Sequence, residues 1–168
     1  MSDLNKLPEL AEKILTRAIE SFINRRDVKR YIPPHEVEAE VGFGLEYLTQ
    51  YYGGSVKPIA DALKDGRILG IINLAGCTNT RIVFEKAIVD IADILLKNNI
   101  LIFTNGCASF PMAKLGYCSV KGQERCGDSL KSFLGSDMPP AWHFGECIDN
   151  AHAVATFATI AGQTGHHI

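Results

Sequence analysis

The sequence predicts an α/β protein of the Rossmann-like kind, in which an open parallel sheet carries helices on both faces, with a helical extension at the N-terminus. Two observations favour this fold. From Val37 onward, short apolar runs alternate with segments of helical periodicity, which is the pattern of βαβ units. Glycine or proline breaks the pattern between several of these segments, as expected of connections. At 168 residues the chain is long enough for one domain with a core.

The N-terminal segment predicts one amphipathic helix followed by a linker. Apolar residues recur at helical spacing over about residues 4–25. The basic stretch "NRRDVKRYIPPHE" then breaks this pattern with Pro33 and Pro34. We therefore divide the chain into a helical extension and linker, 1–30, and a Rossmann-like α/β domain, 31–168.

The first half of the domain is predicted to contain two strands and two helices. The segment "VEAEVGFG" is predicted as a strand and "LEYLTQYYG" as a helix. A short helix follows in "VKPIADALKDG", and Gly66 is expected to end it. The near-continuous apolar run "RILGIINLAG" predicts a strand that is buried on both faces.

The second half continues the alternation. The segment "RIVFEKAIVDIADILLKNN" predicts a helix whose buried stripe consists of Phe84, Ala87, Ile88, Ile91 and Leu95. The next strand is predicted in "ILIFTNG". Two helices are then predicted in "CASFPMAKLGY" and "RCGDSLKSFLG", a further buried strand in "MPPAWHFGE", and a final helix in "IDNAHAVATFATIAG".

Composition and motifs exclude several kinds of protein. The formal net charge is −2, so no nucleic-acid or membrane-surface partner is indicated. No apolar run approaches the roughly 20 residues that span a bilayer, and the first residues do not resemble a secretory signal. We therefore expect a cytoplasmic protein. Neither a GxGxxG nor a P-loop motif occurs, which disfavours a dinucleotide or nucleoside-triphosphate site.

The five cysteines do not form a local motif. Their odd number and wide spacing argue against a disulfide framework. No CxxC occurs, so neither a zinc ribbon nor a thioredoxin-type pair is predicted. Any metal site must therefore be assembled by the fold from distant segments.

Three of the cysteines, however, occupy equivalent corners of the predicted fold. Cys77, Cys107 and Cys147 each follow a predicted strand, with a glycine close before and a helix after. Ligands of open α/β sheets bind beyond the carboxyl ends of the strands, and a helix N-terminus stabilises a thiolate. Thiolates bind soft metals and iron–sulfur clusters. Buried structural cysteines at ordinary turns, or an anion site at the helix ends, stay open as alternatives.

Four segments, in order along the chain, resemble a known family. They are "YIPPHEVEAEVGFG", "PIADALKDGRILGIINLAGCTNTR", "LIFTNGCASFPMAKLGY" and "MPPAWHFGECIDNAHA". Together they resemble nickel–iron carbon monoxide dehydrogenase, the anaerobic enzyme, and more distantly the hybrid-cluster (prismane) proteins. The resemblance runs from about Ile19 to about Ala158 and corresponds to a later portion of a much longer catalytic subunit.

The resemblance implies a metal centre and a reaction. Cys107 and Cys147 would ligate a nickel–iron–sulfur cluster that interconverts CO and CO2, with electrons leaving through further iron–sulfur clusters to an electron-accepting iron–sulfur protein. Cys77 and Asn79 match the family's Gly-Cys-Asn-Asn turn, which lines the centre without ligating it, although Thr78 replaces the first asparagine.

The remaining candidates surround the Cys147 corner or lie apart from it. Asp149 and Asn150 suit a helix-capping turn, or they line the cluster. His143 is expected to be a core histidine with one backbone hydrogen bond, or else a proton relay. Cys118 and Cys126 are expected to be incidental surface or half-buried thiols.

The resemblance also implies that the chain is incomplete as an enzyme. The family's other ligands, a histidine and cysteines, lie outside the matched region, so the remainder of the subunit or a homodimer partner would supply them. We therefore expect the isolated chain to be inactive, with or without bound cluster. The alternatives are a fragment of a hybrid-cluster hydroxylamine reductase, a non-catalytic metal-binding or assembly module, and a small-molecule site with unligated thiols.

Overall fold

The structure is a computed structural model that describes residues 4–25, 31–77, 79, 81, 83 and 85–165. It divides into two compact units, Met1–His35 and Glu36–Ile168; the sequence-based boundary at residue 30 stays a prediction. The helices and strands, in chain order, are α1 Leu7–Ile23, α2 Leu45–Tyr51, α3 Lys57–Lys64, β1 Gly70–Ala75, α4 Lys86–Lys97, β2 Ile100–Asn105, α5 Ser109–Lys114, α6 Asp128–Leu134, β3 Ala141–Gly145 and α7 Asn150–Thr164.

In the part of the second unit that the structure describes, three strands form a parallel sheet in the order β1-β2-β3. Phe103 of β2 stacks on Trp142 of β3, with ring centroids 5.5 Å apart, and Phe157 of α7 covers Phe103 on the same face. On the opposite face, His143 of β3 contacts Ser109 of α5. The sequence-based prediction of a parallel α/β sheet with helices on both faces is confirmed.

The core lies around the central strand β2, because a strand with a neighbour on each side is shielded at its edges as well as its faces. Leu101, Ile102 and Phe103 are fully buried. Trp142 is also fully buried, and its ring stacks on Phe43, with centroids 5.6 Å apart. This aromatic layer fixes the register of β2 and β3, whose carboxyl ends carry the candidate site.

The predicted strand at 37–44 is wrong. This segment is extended, but it makes only one isolated parallel bridge, between Val41 and His143. The N–H groups of Gly42 and Phe43 both donate to the His143 carbonyl oxygen, at 2.9 and 3.0 Å. Gly42 adopts a left-handed backbone, φ +86°, which interrupts the ladder that a regular strand requires.

Strand β1 forms as predicted but is not buried on both faces. It lies at one edge of the described sheet, and Ile72 is 40% exposed. A continuous apolar run alone does not distinguish an edge strand from a central one.

Helix α4 begins at Lys86, five residues later than the segment predicted for it. Glu85 precedes it in a left-handed conformation, φ 62°, which the helix cannot include. Of the predicted stripe, Leu95 is buried and Ile91 is 44% exposed, while Phe84 lies outside the described residues. The fully buried positions are Ala92 and Leu96, so the buried face is rotated from the predicted one.

The first unit contains α1, which confirms the predicted amphipathic helix. No residue of α1 is buried. Its apolar side chains are exposed by half or more, Ile14 by 69% and Ile19 by 59%. Among the described residues, no helix has the length and apolarity required to cross a bilayer.

Candidate metal centre

Three cysteines lie at the carboxyl edge of the sheet. The register pairs Ala75 with Asn105 and Asn105 with Gly145, so the three strands end at the same level. Cys77, Cys107 and Cys147 follow these ends within two residues, and all three are exposed. The fold thus brings together the three corners that the sequence singles out.

The glycine before Cys107 allows two of these corners to touch. Gly106 has a φ of +63°, and a Cβ placed on it would lie 2.7 Å from Cys147 Sγ. That distance is far below ordinary van der Waals contact, so only glycine leaves room for the Cys147 side chain. The Cys107 and Cys147 corners are therefore in direct contact.

A backbone hydrogen bond joins the Cys77 corner to the Cys107 corner. The Ala108 N–H donates to the Gly76 carbonyl oxygen at 3.0 Å. Cys107 itself lies in a short 3₁₀ turn, Gly106–Ala108, that leads directly into α5. Cys147 begins the equivalent turn, Cys147–Asp149, before α7. Both thiols therefore lie in a short 3₁₀ turn that leads directly into a helix.

Three asparagine side chains meet beneath these turns. Asn150 Oδ1 accepts one hydrogen bond from Asn73 Nδ2 at 2.8 Å and another from Asn105 Nδ2 at 2.9 Å. Sequence reasoning named Asn150 but missed Asn73 and Asn105. A signal was present, because an amide inside the apolar runs "IINLAG" and "LIFTNG" requires a buried partner. Asn150 is the first residue of α7, whose N-cap is Asp149, and its side-chain oxygen joins the strand ends through Asn73 and Asn105.

His143 is bound to the Cys107 turn through a serine. The Ser109 hydroxyl donates to the Gly106 carbonyl oxygen at 2.6 Å, so its oxygen accepts from His143 Nε2 at 2.8 Å. This arrangement selects the Nε2–H tautomer. Burial lowers the pKa of His143, against a smaller opposing effect of the Glu146 carboxylate. A neutral imidazole therefore holds the turn, and its partner is a hydroxyl rather than the backbone group expected from sequence.

The remaining candidates around the edge make local contacts. Asp149 Oδ2 accepts a hydrogen bond from the Glu146 N–H at 2.8 Å, which closes the turn around Cys147 as the capping interpretation predicts. Asn79 is exposed, and its Oδ1 accepts from the Arg81 N–H at 2.9 Å. Thr78 lies outside the described residues.

Cys118 and Cys126 have environments unlike those of the three edge cysteines. Cys118 is buried, contrary to the expected surface or half-buried position, and burial raises the pKa of its thiol to about 12. Cys126 is half-buried, and burial raises its pKa to about 11. Both thiols stay protonated at neutral pH, which makes them poor metal ligands.

The donors at the edge fit part of a metal centre. Exposed thiols beside glycine corners suit soft metals and iron–sulfur clusters. Within the described part of the chain, however, no group of three or more histidine, cysteine or acidic side chains is placed to hold a metal ion. Cys107 and Cys147 fit a cluster only if further ligands come from outside these residues.

Comparison with protein families and curated proteins gives one consistent answer. The model of the prismane/CO dehydrogenase family matches residues 2–168. Carbon monoxide dehydrogenase 1 of Methanosarcina acetivorans is 33% identical over 156 residues, which are 92% of this chain and 25% of the relative. Carbon monoxide dehydrogenase 2 of Carboxydothermus hydrogenoformans is 31% identical over 172 residues, 94% of this chain and 27% of the relative. The chain thus spans about a quarter of the curated relatives it matches.

Solved structures agree with this result. A nickel-free, as-isolated carbon monoxide dehydrogenase from Thermococcus sp. AM4 has a TM-score of 0.83 and 32% identity, covering 98% of this chain and 26% of that one. Carbon monoxide dehydrogenase IV from Carboxydothermus hydrogenoformans has a TM-score of 0.80 and 27% identity, covering 98% and 28%. An acetyl-CoA synthase/carbon monoxide dehydrogenase with NiZn and NiNi Fe4S4 clusters in its alpha subunits has a TM-score of 0.77 and 29% identity, covering 95% and 26%.

Proposed function

The chain belongs to the prismane/CO dehydrogenase family, and on that premise we propose that it forms one section of an anaerobic nickel–iron–sulfur carbon monoxide dehydrogenase. The observation that carries the proposal is the contact between the two corners at the carboxyl edge, where Cys147 Sγ lies against Gly106, directly before Cys107. Family membership supports the kind of enzyme, and this contact supports the role that we propose for the section.

Cys107 and Cys147 would supply two thiolate ligands to the active-site cluster. When bound, the nickel–iron–sulfur cluster supplies the chemistry that interconverts CO and water with CO2, two protons and two electrons. Cys77 and Asn79 would line the same edge without ligating. Both ligand thiols are exposed, so they are accessible to metal and to the rest of the polypeptide.

The other residues of the edge hold the two ligands in place. The bond from His143 to Ser109 and from Ser109 to the Gly106 carbonyl fixes the turn that carries Cys107. The bond from the Glu146 N–H to Asp149 fixes the turn that carries Cys147. Such outer contacts orient metal ligands and restrict the geometry they can adopt.

The described residues supply only part of the metal ligands that a cluster needs, so we propose partners that complete the enzyme. The remaining ligands would come from the rest of the catalytic subunit or from a homodimer partner. The electrons would pass through further iron–sulfur clusters of the 4Fe–4S kind to an electron-accepting iron–sulfur protein. We place this enzyme in the cytoplasm, with CO and CO2 as its substrates, and we expect the isolated chain to be inactive.

Transplantation tests this proposal. The matching segment of carbon monoxide dehydrogenase 2 from Carboxydothermus hydrogenoformans is replaced by this chain, and CO-dependent reduction of a viologen dye is measured without oxygen. We expect activity in the chimera, loss to background in Cys107→Ala and Cys147→Ala, and retention in Cys126→Ala. Cys126 is the matched control because it is a cysteine with a raised thiol pKa.

A folded chimera that carries nickel but does not oxidise CO would contradict the proposal. Hydroxylamine reduction by the same preparation would instead support the hybrid-cluster alternative. The relatives reported above are carbon monoxide dehydrogenases, so the comparisons do not favour that alternative.

A further inference from the structure

We propose that Asn150 is a positioning residue that sets the spacing of the Cys107 and Cys147 thiols by joining the strand ends through Asn73 and Asn105. The inference deepens the proposed function and rests on it only for the identity of the metal centre. The spacing is a property of this chain and can be measured without any metal.

The geometry of the amide cluster supports this role. Asn150 lies at the start of α7, three residues after Cys147, and Asn105 lies two residues before Cys107. The hydrogen bond between them, at 2.9 Å, therefore connects the two thiol-bearing turns. The bond from Asn73 at 2.8 Å connects β1 to the same oxygen. One acceptor atom thus joins β1, β2 and the start of α7.

The burial of the amide cluster supports a role in positioning the two thiol-bearing turns. Asn105 is only 2% exposed, so leaving its amide without an acceptor would destabilise the folded chain. Asn73 donates to Asn150 although its own Oδ1 is buried with no hydrogen-bond partner among the described residues. An apolar residue at position 73 would avoid that unpaired oxygen. Departures from full polar pairing of this kind concentrate at functional sites.

Among the described residues, no backbone hydrogen bond outside the helices and strands joins the turn of Cys107 to the turn of Cys147. The backbone bond from the Ala108 N–H to the Gly76 carbonyl oxygen joins the β1 and β2 corners, and the bond from the Asp149 N–H to the Glu146 carbonyl oxygen stays within the Cys147 turn. His143 joins β3 to the Cys107 turn, but it lies before the Gly145 corner rather than after it. Asn150, three residues beyond Cys147, is hydrogen-bonded back to the end of β2 through Asn105. Its loss should therefore free the Cys147 turn while the sheet stays intact.

A bifunctional thiol reagent tests the spacing directly. Dibromobimane becomes strongly fluorescent when its two carbons alkylate two neighbouring thiols, each sulfur displacing one bromide. In a Cys77→Ser background, where Cys118 is buried, we expect rapid cross-linking of Cys107 to Cys147. Asn150→Leu should slow the second, cross-linking step about tenfold, the effect of losing two ordinary hydrogen bonds. The first alkylation should change little, and the chain should stay folded at the assay temperature, although its melting temperature should fall by several degrees because the buried Asn105 amide loses its acceptor.

Two further variants separate positioning from folding. Asn150→Asp retains an oxygen that accepts from both amides and suits a helix N-terminus, so it should restore the cross-linking rate. Asn98→Leu removes an exposed asparagine whose amide bonds the Ile94 carbonyl within α4, and it should cross-link like the parent chain.

Either of two results would overturn the inference. Cross-linking of Asn150→Leu at the parent rate would show that the amide cluster does not set the spacing. An Asn150→Asp variant as slow as Asn150→Leu would show that acceptance by this oxygen is not its role. Both outcomes are read on the metal-free chain, so they remain distinct from a failure of the chimera to oxidise CO.

Discussion

At the scale of single residues, glycine decides whether the site can exist. Gly106 has a positive φ and leaves the space that Cys147 Sγ occupies. Gly76 and Gly145 have φ values of +142° and +130°, so each corner is turned by a residue without a side chain. The sequence pattern of glycine near cysteine thus records a steric requirement as well as a tight turn.

Thiol reactivity is predicted to divide the five cysteines. In the folded chain, iodoacetamide should alkylate the three exposed thiols quickly, Cys126 more slowly, and Cys118 about a hundredfold more slowly than Cys107. The pKa of Cys118, raised to about 12 by burial, keeps it a protonated thiol through pH 9. Timed quenching followed by peptide mass spectrometry measures each rate.

Unfolding provides the control for this experiment. In denaturant all five cysteines should react at similar rates, because the difference in burial is then lost. Equal reactivity of Cys118 and Cys107 in the folded chain would contradict the burial described here.

At the scale of elements, sequence periodicity predicted where helices and strands occur better than it predicted how they pack and pair. Helix α1 and strand β2 were found where their patterns placed them. The stripe of α4 was rotated, because the left-handed Glu85 delays the helix start and tertiary contacts choose the buried face. The 37–44 segment has the alternation of a strand, but Gly42 turns it after a single bridge. The local sequence pattern does not show which other elements pack against a helix or pair with a strand.

Helix α1 yields a stability prediction. Ile19 is 59% exposed, so Ile19→Gln should change the free energy of unfolding by no more than about 0.5 kcal/mol. Leu96 of α4 is fully buried, so Leu96→Gln should cost about 3 kcal/mol or more, because it leaves an amide in the core. Denaturant unfolding measures both changes.

Hydrophobic dye binding supplies the second readout for α1. The parent chain should bind the dye through the exposed apolar side chains, and Ile14→Gln with Ile19→Gln should reduce that binding. A loss of more than 2 kcal/mol in this double variant would mean that the apolar face is covered in solution.

At the scale of the whole molecule, topology assembles the candidate site. Three parallel strands in sequential order end at one level, so three cysteines separated by 30 residues or more in sequence meet at one edge. This convergence could be predicted, because the carboxyl ends of parallel strands always share an edge. The amide cluster of Asn73, Asn105 and Asn150 could not, since its partners are set by register and side-chain direction.

The measurement that tests the central claim most directly is the nickel, iron and sulfide content of the chimeric enzyme, purified without oxygen. If Cys107 and Cys147 are ligands of the active-site cluster, Cys107→Ala and Cys147→Ala should each lose nearly all nickel and one cluster's share of iron. The Cys126→Ala control should keep the full content of both metals. Nickel and iron contents that are unchanged in both ligand variants would contradict the account.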